Sequence, residues 1–192
     1  MKLKKAFYLS DDVVELAKDL LGKHLCTNIN SKGVTSGIIT ETEAYAGIID
    51  KASHAYSGSR TKRTDIMYWE GGVAYVYLCY GVHSLFNIVT SKKNNPHAIL
   101  IRAIKPVNGI ELMLERTGKK VLDGKAGIGP GKVTKLLGIH YSHTGTSLLG
   151  NEIWLEDKGV KIFLKNIIAG PRVGVDYAGE DAKLPYRFRI IF

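Results

Sequence analysis

Apolar residues recur at helical spacing in three stretches of the chain, and the first lies near the amino terminus. Residues 13–21 place most of their apolar side chains on one stripe. Ser10 is a favourable N-cap because its hydroxyl accepts hydrogen bonds from a first helical turn, and Gly22 is a typical helix end. The pattern predicts a helix over residues 11–21.

Two further helices are predicted later in the chain. Asn108 is a candidate cap for a helix over residues 109–116, which Gly118 would end. A shorter helix over residues 133–137 follows the segment GPGK, residues 129–132. The start of that helix is either a phosphate site at a helix amino terminus or a simple proline-initiated turn.

Short β-prone runs account for most of the remaining apolar residues. Residues 24–29 and 35–45 flank a polar turn and predict a hairpin. A long polar segment, residues 47–70, follows, and loops of that length inside a compact domain usually carry function. We expect an α+β fold in a single domain, residues 1–192, with a curved, mainly antiparallel β-sheet flanked by short helices. The other predicted strands are residues 73–79, 85–90, 98–104, 153–156, 160–164, 173–176 and 187–192.

Composition adds a candidate partner to this fold. The chain has 192 residues, of which 45% are apolar, and this suits one domain with a sizeable core. Its 27 Lys and Arg residues outnumber 18 Asp and Glu residues, for a formal charge of +9. Because cationic side chains gain affinity by releasing counterions from phosphates, the charge favours nucleic acid as partner. A merely soluble cationic surface is the alternative.

Targeting signals and cofactor motifs are not evident. No apolar run reaches membrane-spanning length, and the first residues lack the long apolar segment of a secretory signal, so we expect no membrane partner and a cytoplasmic location, or a nuclear one in a eukaryote. Cys26 and Cys79 lie in apolar runs, which favours buried reduced thiols. Paired Cys/His spacing is missing, so we expect no metal and no cofactor.

Residues able to do chemistry concentrate between positions 39 and 102. On an extended strand Glu41, Glu43 and Tyr45 share one face, since side chains alternate. That face either lines a pocket or is a solvated strand surface. Arg102 lies in an apolar run and needs an anionic partner or a route to water, and Glu43 is a plausible partner.

Aromatic and amide side chains occur in the same region. Tyr75 and Tyr77 share a strand face, and Tyr80 falls where the following hairpin must turn, so it should be exposed. Such aromatic stripes pack in cores or stack on bases. Asn87 is either satisfied by backbone groups or placed for a ligand. A lone His54 is typically a surface or satisfied core residue.

In combination, these segments resemble the alkyladenine (3-methyladenine) DNA glycosylase family through most of the chain. Several motifs in one order at compatible spacing are far more specific than any of them alone. The segments are ETEAY (41–45), the loop 54–67, YVYLCYG (75–81), Asn87, LIRAI (100–104), GPGK (129–132) and RVGVDYAGE (172–180). Two departures are Lys62, where proline is usual, and the loop 69–72, which lacks a common proline. They bear on loop rigidity and lesion range.

The resemblance implies a role for each matching residue. Glu43 would be the general base that activates water, which Arg102 and the backbone carbonyl of Val173 help to hold. Glu41 would be structural. Tyr45 would stack on one face of a flipped base. The other implied roles are Tyr77 and His54 on the second face, Tyr80 as the wedge in the minor groove, Asn87 against the amino group of guanine, and Thr61, Met67 and Lys132 at the DNA.

The resemblance also implies the reaction. We expect a monomeric, monofunctional enzyme that binds double-stranded DNA containing damaged purines, extrudes the damaged nucleotide, and hydrolyses the glycosidic bond to leave an abasic site. The implied fold is similar to the carboxy-terminal domain of methionyl-tRNA formyltransferase. Because that domain binds RNA, a non-catalytic nucleic-acid module is one alternative. A hydrolase of free modified nucleosides is the other.

Overall fold

The computed structural model describes residues 1–190, which form one α+β domain with a mainly antiparallel sheet, as the sequence predicts. The likeness to the formyltransferase domain stays a prediction. The helices are α1 (Val13–Asp19), α2 (Ile110–Thr117) and α3 (Pro130–Leu137). The strands are β1 (His24–Thr27), β2 (Thr35–Tyr45), β3 (Val73–Cys79), β4 (His83–Thr90), β5 (His97–Asn108), β6 (Ile153–Glu156), β7 (Ile167–Gly170) and β8 (Arg187–Ile190).

Strand β2 is the centre of the sheet. The strand order is β3-β4-β5-β2-β1-β6, and β5 pairs along one edge of β2. On the other edge β1 pairs with residues 35–38 and β8 with residues 41–43, so the sheet forks there. The fork is fixed by Ile39, whose carbonyl accepts from the Gly22 amide at 2.9 Å. Residues 41–43 therefore lie between two strands, where a side chain can be fully enclosed.

The main core lies on the face of β2 opposite to Glu43. Thr42 and Ala44 are fully buried on that face, and the Thr42 hydroxyl donates to the Ala17 carbonyl of α1 at 2.8 Å. Helix α3 packs on β4 and β5 over the same core. Since side chains alternate along the strand, Glu43 and Tyr45 face the other way. One face of β2 thus packs in the main core, and the other carries the candidate catalytic side chains.

The long polar loop covers part of that second face. As predicted, residues 47–70 form no strand, and the structure folds them into 3₁₀ turns at Gly47–Ile49, Tyr56–Gly58 and Asp65–Tyr68. The loop is held by a small apolar cluster of its own. The cluster comprises Ala55, Ile66, Met67, Tyr68, Tyr75, Val89 and Ala98.

Two predicted helix caps are wrong. The N-cap of α1 is Asp12 and not Ser10, because the Asp12 carboxylate accepts from the amides of Val14 at 3.1 Å and Glu15 at 2.9 Å. Helix α1 also ends earlier than predicted, at Asp19 and not at residue 21. Asn108 belongs to β5, and the cap of α2 is Gly109, whose φ of 73° suits glycine.

Several strand boundaries differ from the prediction. The first strand stops at Thr27, and Ile29 begins a 3₁₀ turn in which Asn30 has a φ of 53°. Strand β4 begins earlier, at His83, and β5 continues past the expected stop at Pro106, which pairs opposite Gly37 beside a register shift. An irregular register spares the proline from donating a ladder hydrogen bond.

Two predicted strands are absent from the described residues, and one real strand was not predicted. Residues 160–164 form no strand, and Phe163 and Leu164 are exposed. Residues 173–174 form a bend and Asp176 begins a 3₁₀ segment, and the Val173 amide binds a carboxylate and not a neighbouring strand. The unpredicted β7 pairs with β8. The prediction for 187–192 is confirmed through Ile190, and residues 191–192 lie outside the described residues.

Candidate active site

Glu43 is a fully buried carboxylate on β2, and each of its oxygens has a donor. The Val173 amide donates to Oε1 at 2.8 Å, and the Tyr45 hydroxyl donates to Oε2 at 2.8 Å. The guanidinium Nε of Arg102 lies 3.4 Å from Oε1. Isolated buried charges are costly, so this set of donors is what allows Glu43 to ionise inside the domain.

Burial raises the pKa of Glu43 above its ordinary value. The Arg102 charge, the Val173 amide and the Tyr45 hydroxyl oppose that rise without cancelling it, and the nearby Glu41 charge adds to it. A carboxylate with a raised pKa is a better proton acceptor near neutral pH than an exposed one. Glu43 therefore has the environment of a general base.

Arg102 is shared between two carboxylates. The predicted pairing with Glu43 is confirmed, but the Arg102 Nε is closer to Glu41 Oε1, at 3.2 Å. Arg187 Nε also lies 3.8 Å from the same Glu41 oxygen. Glu41 thus takes part in an ion-pair network that joins β2, β5 and β8 beside Glu43.

An aromatic wall stands on β3, as the alternation of Tyr75 and Tyr77 predicts. The two rings are 5.5 Å apart, and the His54 ring is 4.8 Å from Tyr77. His54 Nδ1 and the Tyr75 hydroxyl are 2.8 Å apart. Burial, helped by the Arg63 charge, lowers the pKa of His54 to about 4, so the imidazole is neutral at physiological pH.

The aromatic wall and Tyr45 line one cavity of about 480 Å³. That volume is typical of a site for a small organic group, for which about 300–1,000 Å³ is usual. Asn87 lines it too, and its Nδ2 donates to the carbonyls of Tyr75 at 3.2 Å and Leu85 at 3.3 Å. Further lining residues are His54, Met67, Tyr77, Tyr80, Arg102, Val173, Ala52, Arg63, Leu100, Pro130 and Tyr177.

The structure places the residues predicted to meet DNA at different depths. Tyr80 is 94% exposed, with a φ of 51°, in the turn between β3 and β4 at the cavity. Thr61, on the long loop, and Lys132, in the first turn of α3, are exposed and lie outside the lining of the cavity. Met67 is only 1% exposed and forms part of the lining. The cavity therefore unites most of the predicted site, while Thr61 and Lys132 lie apart from it.

A buried ion pair beside the cavity is not predicted from the sequence. Arg172 and Asp50 bind each other with both side chains almost fully enclosed. Arg172 lies in the motif RVGVDYAGE, but Asp50 is 122 residues away, so no spacing could reveal the pair. Tyr177, from the same motif, lines the cavity, and its hydroxyl donates to the Ala52 carbonyl at 3.0 Å.

A larger cavity, of about 770 Å³, lies elsewhere and has different chemistry. It is formed mainly by apolar residues of β5, α2 and residues 120–124, with Glu41 at its edge. Glu41 lines this larger cavity, but Glu43 and the three groups that contact Glu43 do not. The smaller cavity is therefore the candidate active site, because Tyr45, Arg102 and Val173, which all contact the Glu43 carboxylate, line it together with the aromatic rings.

Within residues 1–190, no group of three or more His, Cys, Asp or Glu side chains is arranged to hold a metal ion. In the same range, every helix is too short or too polar to cross a bilayer.

Comparison with known proteins agrees with the geometry of this site. The family model for methylpurine-DNA glycosylase matches residues 6–191. This chain belongs to the methylpurine-DNA glycosylase family. A methylpurine-DNA glycosylase is a DNA-repair hydrolase that acts on DNA, and the resemblance seen in the sequence motifs is confirmed.

Three curated relatives of this chain illustrate the match, and each bears the name "Putative 3-methyladenine DNA glycosylase". The Chlamydia felis protein is 47% identical over 97% of this chain and 94% of its own length. The Desulfitobacterium hafniense protein is 40% identical over 97% and 94%. The Bacillus cereus protein is 42% identical over 98% and 95%. The match is therefore full-length on both sides.

Proposed function

We propose that this glycosylase removes alkylated purines, such as 3-methyladenine and 7-methylguanine, from duplex DNA by water attack and leaves an abasic site. The observation that carries the proposal is the buried Glu43 carboxylate, held by three donors beside a tyrosine-lined cavity. The names of the relatives point to the same substrate class. We further propose that the enzyme acts as a monomer in the compartment that holds the DNA, the cytoplasm of a bacterium.

Recognition begins with extrusion of the damaged nucleotide. A base inside the duplex cannot reach a cavity, so it must be flipped out at a cost of about a few kcal/mol, which is least for a weakened pair. The flipped base would lie between Tyr45 on one side and Tyr77 with His54 on the other. Met67, enclosed in the lining, would contact the base and not the duplex.

The cavity favours cationic bases. Alkylation at N3 or N7 gives a purine a positive charge, which tyrosine faces attract by cation–π contact worth roughly 0.5–2 kcal/mol. His54 does not oppose this attraction, because its lowered pKa keeps the ring neutral. Asn87 would crowd the exocyclic amino group of guanine and so reject the normal base. Selectivity thus combines charge, shape and the ease of extrusion.

The chemical step needs one base and no covalent enzyme intermediate. The glycosidic bond breaks with its electron pair moving to the base nitrogen, which neutralises a cationic purine as it leaves. The sugar carbon gains oxocarbenium character, and the ionised Glu43 stabilises that charge and takes a proton from the attacking water. Arg102 and the carbonyl of Val173 would hold the water. The products are the free base and an abasic site.

The duplex would be held around the cavity mouth. Tyr80, almost fully exposed on its tight turn, would fill the gap left by the extruded nucleotide. Thr61 would contact DNA from the long loop, and Lys132 at the start of α3 would contact phosphate, since cations and helix amino termini both attract it. The formal charge of +9 supports this interface.

A panel of duplexes, each with one defined lesion, tests the proposal. We expect release of 3-methyladenine and 7-methylguanine, no release of normal guanine, and an intact strand until the abasic site is cleaved by alkali. Activity should fall steeply with salt, because several phosphate contacts release counterions. Cleavage of free nucleosides in preference to duplex would favour a nucleoside hydrolase. Binding of RNA without excision would favour a non-catalytic module, and a borohydride-trapped adduct would exclude water as the nucleophile.

The single-turnover rate of excision should fall as the pH falls. The midpoint of this decrease, the acid limb of the pH–rate profile, should lie above the ordinary pKa of a glutamic acid. Glu43 must be ionised to act as the general base. Because burial raises its pKa, Glu43 becomes protonated and inactive at a higher pH than an exposed carboxyl would. The measurement is the rate at saturating enzyme across the acid range, after subtraction of enzyme-free loss. Because His54 has a pKa of about 4, His54→Gln should keep the limb. If the acid limb disappears in His54→Gln, the limb reports the titration of His54 and not that of Glu43.

A further inference from the structure

Arg172 is the most completely enclosed cation near the site. Its guanidinium grips both oxygens of Asp50, with Nη2 donating to Oδ1 at 2.8 Å and Nη1 donating to Oδ2. Nη1 also donates to the Ala44 carbonyl at 2.9 Å, and Nη2 to the Asp181 carbonyl at 3.1 Å. The two side chains are 0% and 1% exposed. Removing charge from water this completely has a cost that only a dense set of partners offsets.

The guanidinium also fixes a base-stacking ring. Its central carbon lies 4.9 Å from the centre of the Tyr45 ring and 5.3 Å from that of Tyr186. A planar cation packed on an aromatic face restrains the tilt of that ring. Tyr45 lines the cavity, so Arg172 controls the orientation of one wall of the base pocket.

Asp50 is fixed in turn by backbone groups. Its carboxylate accepts from the amides of Ala46 and Ala52, each at 3.0 Å. These contacts fold the chain directly after β2 around the carboxylate. The Arg172 guanidinium therefore has a rigid partner, and its two parallel hydrogen bonds to Asp50 restrict its position.

Two of the three groups that contact Glu43 depend on this arrangement. The Val173 amide, which donates to Oε1, belongs to the residue next to Arg172, and the Tyr45 hydroxyl, which donates to Oε2, belongs to the ring beside the guanidinium. We propose that Arg172, locked by Asp50, is a positioning residue that holds both donors on the Glu43 carboxylate. This inference rests on the proposed role of Glu43 as the base.

Loss of the two donors has a defined electrostatic effect. The charged and titratable groups that face Glu43 are Arg102 from β5, Glu41 and Tyr45 from β2, and Arg172 itself, while Tyr77 and Tyr177 feel its charge from β3 and the carboxy-terminal segment. The Val173 and Tyr45 donors lower the pKa of Glu43 against the effect of burial. Displacing them leaves Arg102 as the main stabiliser of the anion. The carboxylate should then protonate at higher pH.

Arg172→Lys tests the inference, because lysine keeps the charge but loses the planar fork. We expect the saturating single-turnover rate at neutral pH to fall about tenfold, as misplacement of a reacting group does. We expect the acid limb to move up by about one pH unit, equal to a tenfold change in the ionisation equilibrium. A purely structural role would lower the fraction of active enzyme and scale the whole profile without moving the limb.

Arg116→Lys is the matched control. Arg116 is a partly buried arginine that donates to Thr35 at 3.0 Å and to the Leu136 carbonyl at 2.9 Å, but it lines neither cavity. It should change thermal stability and leave the limb in place. If Arg172→Lys gives no folded protein, Asp50→Asn and Tyr186→Leu, which leave the guanidinium in the chain, carry the same expectation.

The outcomes separate this inference from the proposed function. A wild-type rate and limb in folded Arg172→Lys, or a limb that moves equally in Arg116→Lys, would overturn the positioning role. The proposed function would still stand in that case if Glu43→Gln abolishes excision. Wild-type protein that releases no alkylated purine would remove the function itself.

Discussion

Replacing Glu43 with glutamine is expected to slow single-turnover excision of an alkylated purine by at least about 10²-fold, the usual size of a general-base contribution. Glutamine is nearly isosteric, and its carbonyl oxygen can still accept from the Val173 amide, so the cavity should keep its shape. It cannot take a proton from water, and it carries no charge to stabilise an oxocarbenium ion. Binding of a lesion duplex should therefore survive while chemistry fails. The rate comes from rapid quench at saturating enzyme, and the affinity from equilibrium titration.

Glu41→Gln is the control for this prediction. Glu41 lies on the same strand and contacts the same arginine, Arg102, at 3.2 Å, but the Val173 amide and the Tyr45 hydroxyl donate to Glu43 instead. Its loss should cost less than about tenfold, since Arg102 keeps Glu43 as partner. Equal losses in the two variants would contradict the choice of Glu43 as base. Excision by Glu43→Gln at the wild-type rate would refute the mechanism outright.

Glu43→Gln should also raise thermal stability at neutral pH. The folded pKa of Glu43 lies above its unfolded value because of burial, so the folded state binds the proton more tightly. The folded protein therefore loses stability as the pH rises from the unfolded-state pKa through the folded-state pKa. At neutral pH, where Glu43 is ionised, the wild-type protein has lost this stability. Glutamine cannot ionise, so its advantage should shrink as the pH falls. Thermal melts at several pH values would show the trend.

Replacing Tyr80 with alanine is expected to reduce excision from duplex DNA by roughly 5- to 150-fold, because aromatic stacking against a base is worth about 1–3 kcal/mol. The ring projects from the turn between β3 and β4 with 94% of its surface exposed, so its removal leaves no cavity in the core. In a duplex the ring would replace the stacking that the extruded base gives up. In a single strand no such gap has to be filled.

The decisive measurement for Tyr80 is therefore a ratio. Excision of one lesion is followed in duplex and in single-stranded DNA, and only the duplex rate should fall strongly. Phe163→Ala is the control, since Phe163 is another exposed aromatic residue that lines neither cavity. Equal losses on the two substrates would contradict a wedge, as would a comparable effect of Phe163→Ala.

Local pattern predicted the parts of this fold that local forces determine. Strands β3 and β6 have the predicted bounds, because uninterrupted β-prone runs there meet partners along their whole length. The alternation of Glu43 and Tyr45 on one face is confirmed for the same reason. The cap of α1 was misassigned because Ser10 and Asp12 both suit the role, and only the three-dimensional path of the chain decides between them.

Long-range contacts were beyond the reach of pattern. Val173 lies in a run that is β-prone by composition, yet its amide is used by a carboxylate 130 residues away. Asp50 has the sequence context of a loop residue, yet it is almost fully buried and its carboxylate is held by Arg172 and two backbone amides. The roles that came with the family resemblance supplied Val173 itself. They did not supply the ion pair that holds it.

The fork in strand β2 has a consequence for the order in which this enzyme can assemble. The central strand is made early, but residues 41–43 gain their second neighbour only when β8 pairs with them, and Glu43 gains its amide donor only when Val173 arrives. Contacts between such distant parts of a chain close late, because the intervening loop must first be ordered. The surroundings of Glu43 are therefore complete only when Val173, 130 residues later in the chain, and strand β8 have folded against β2.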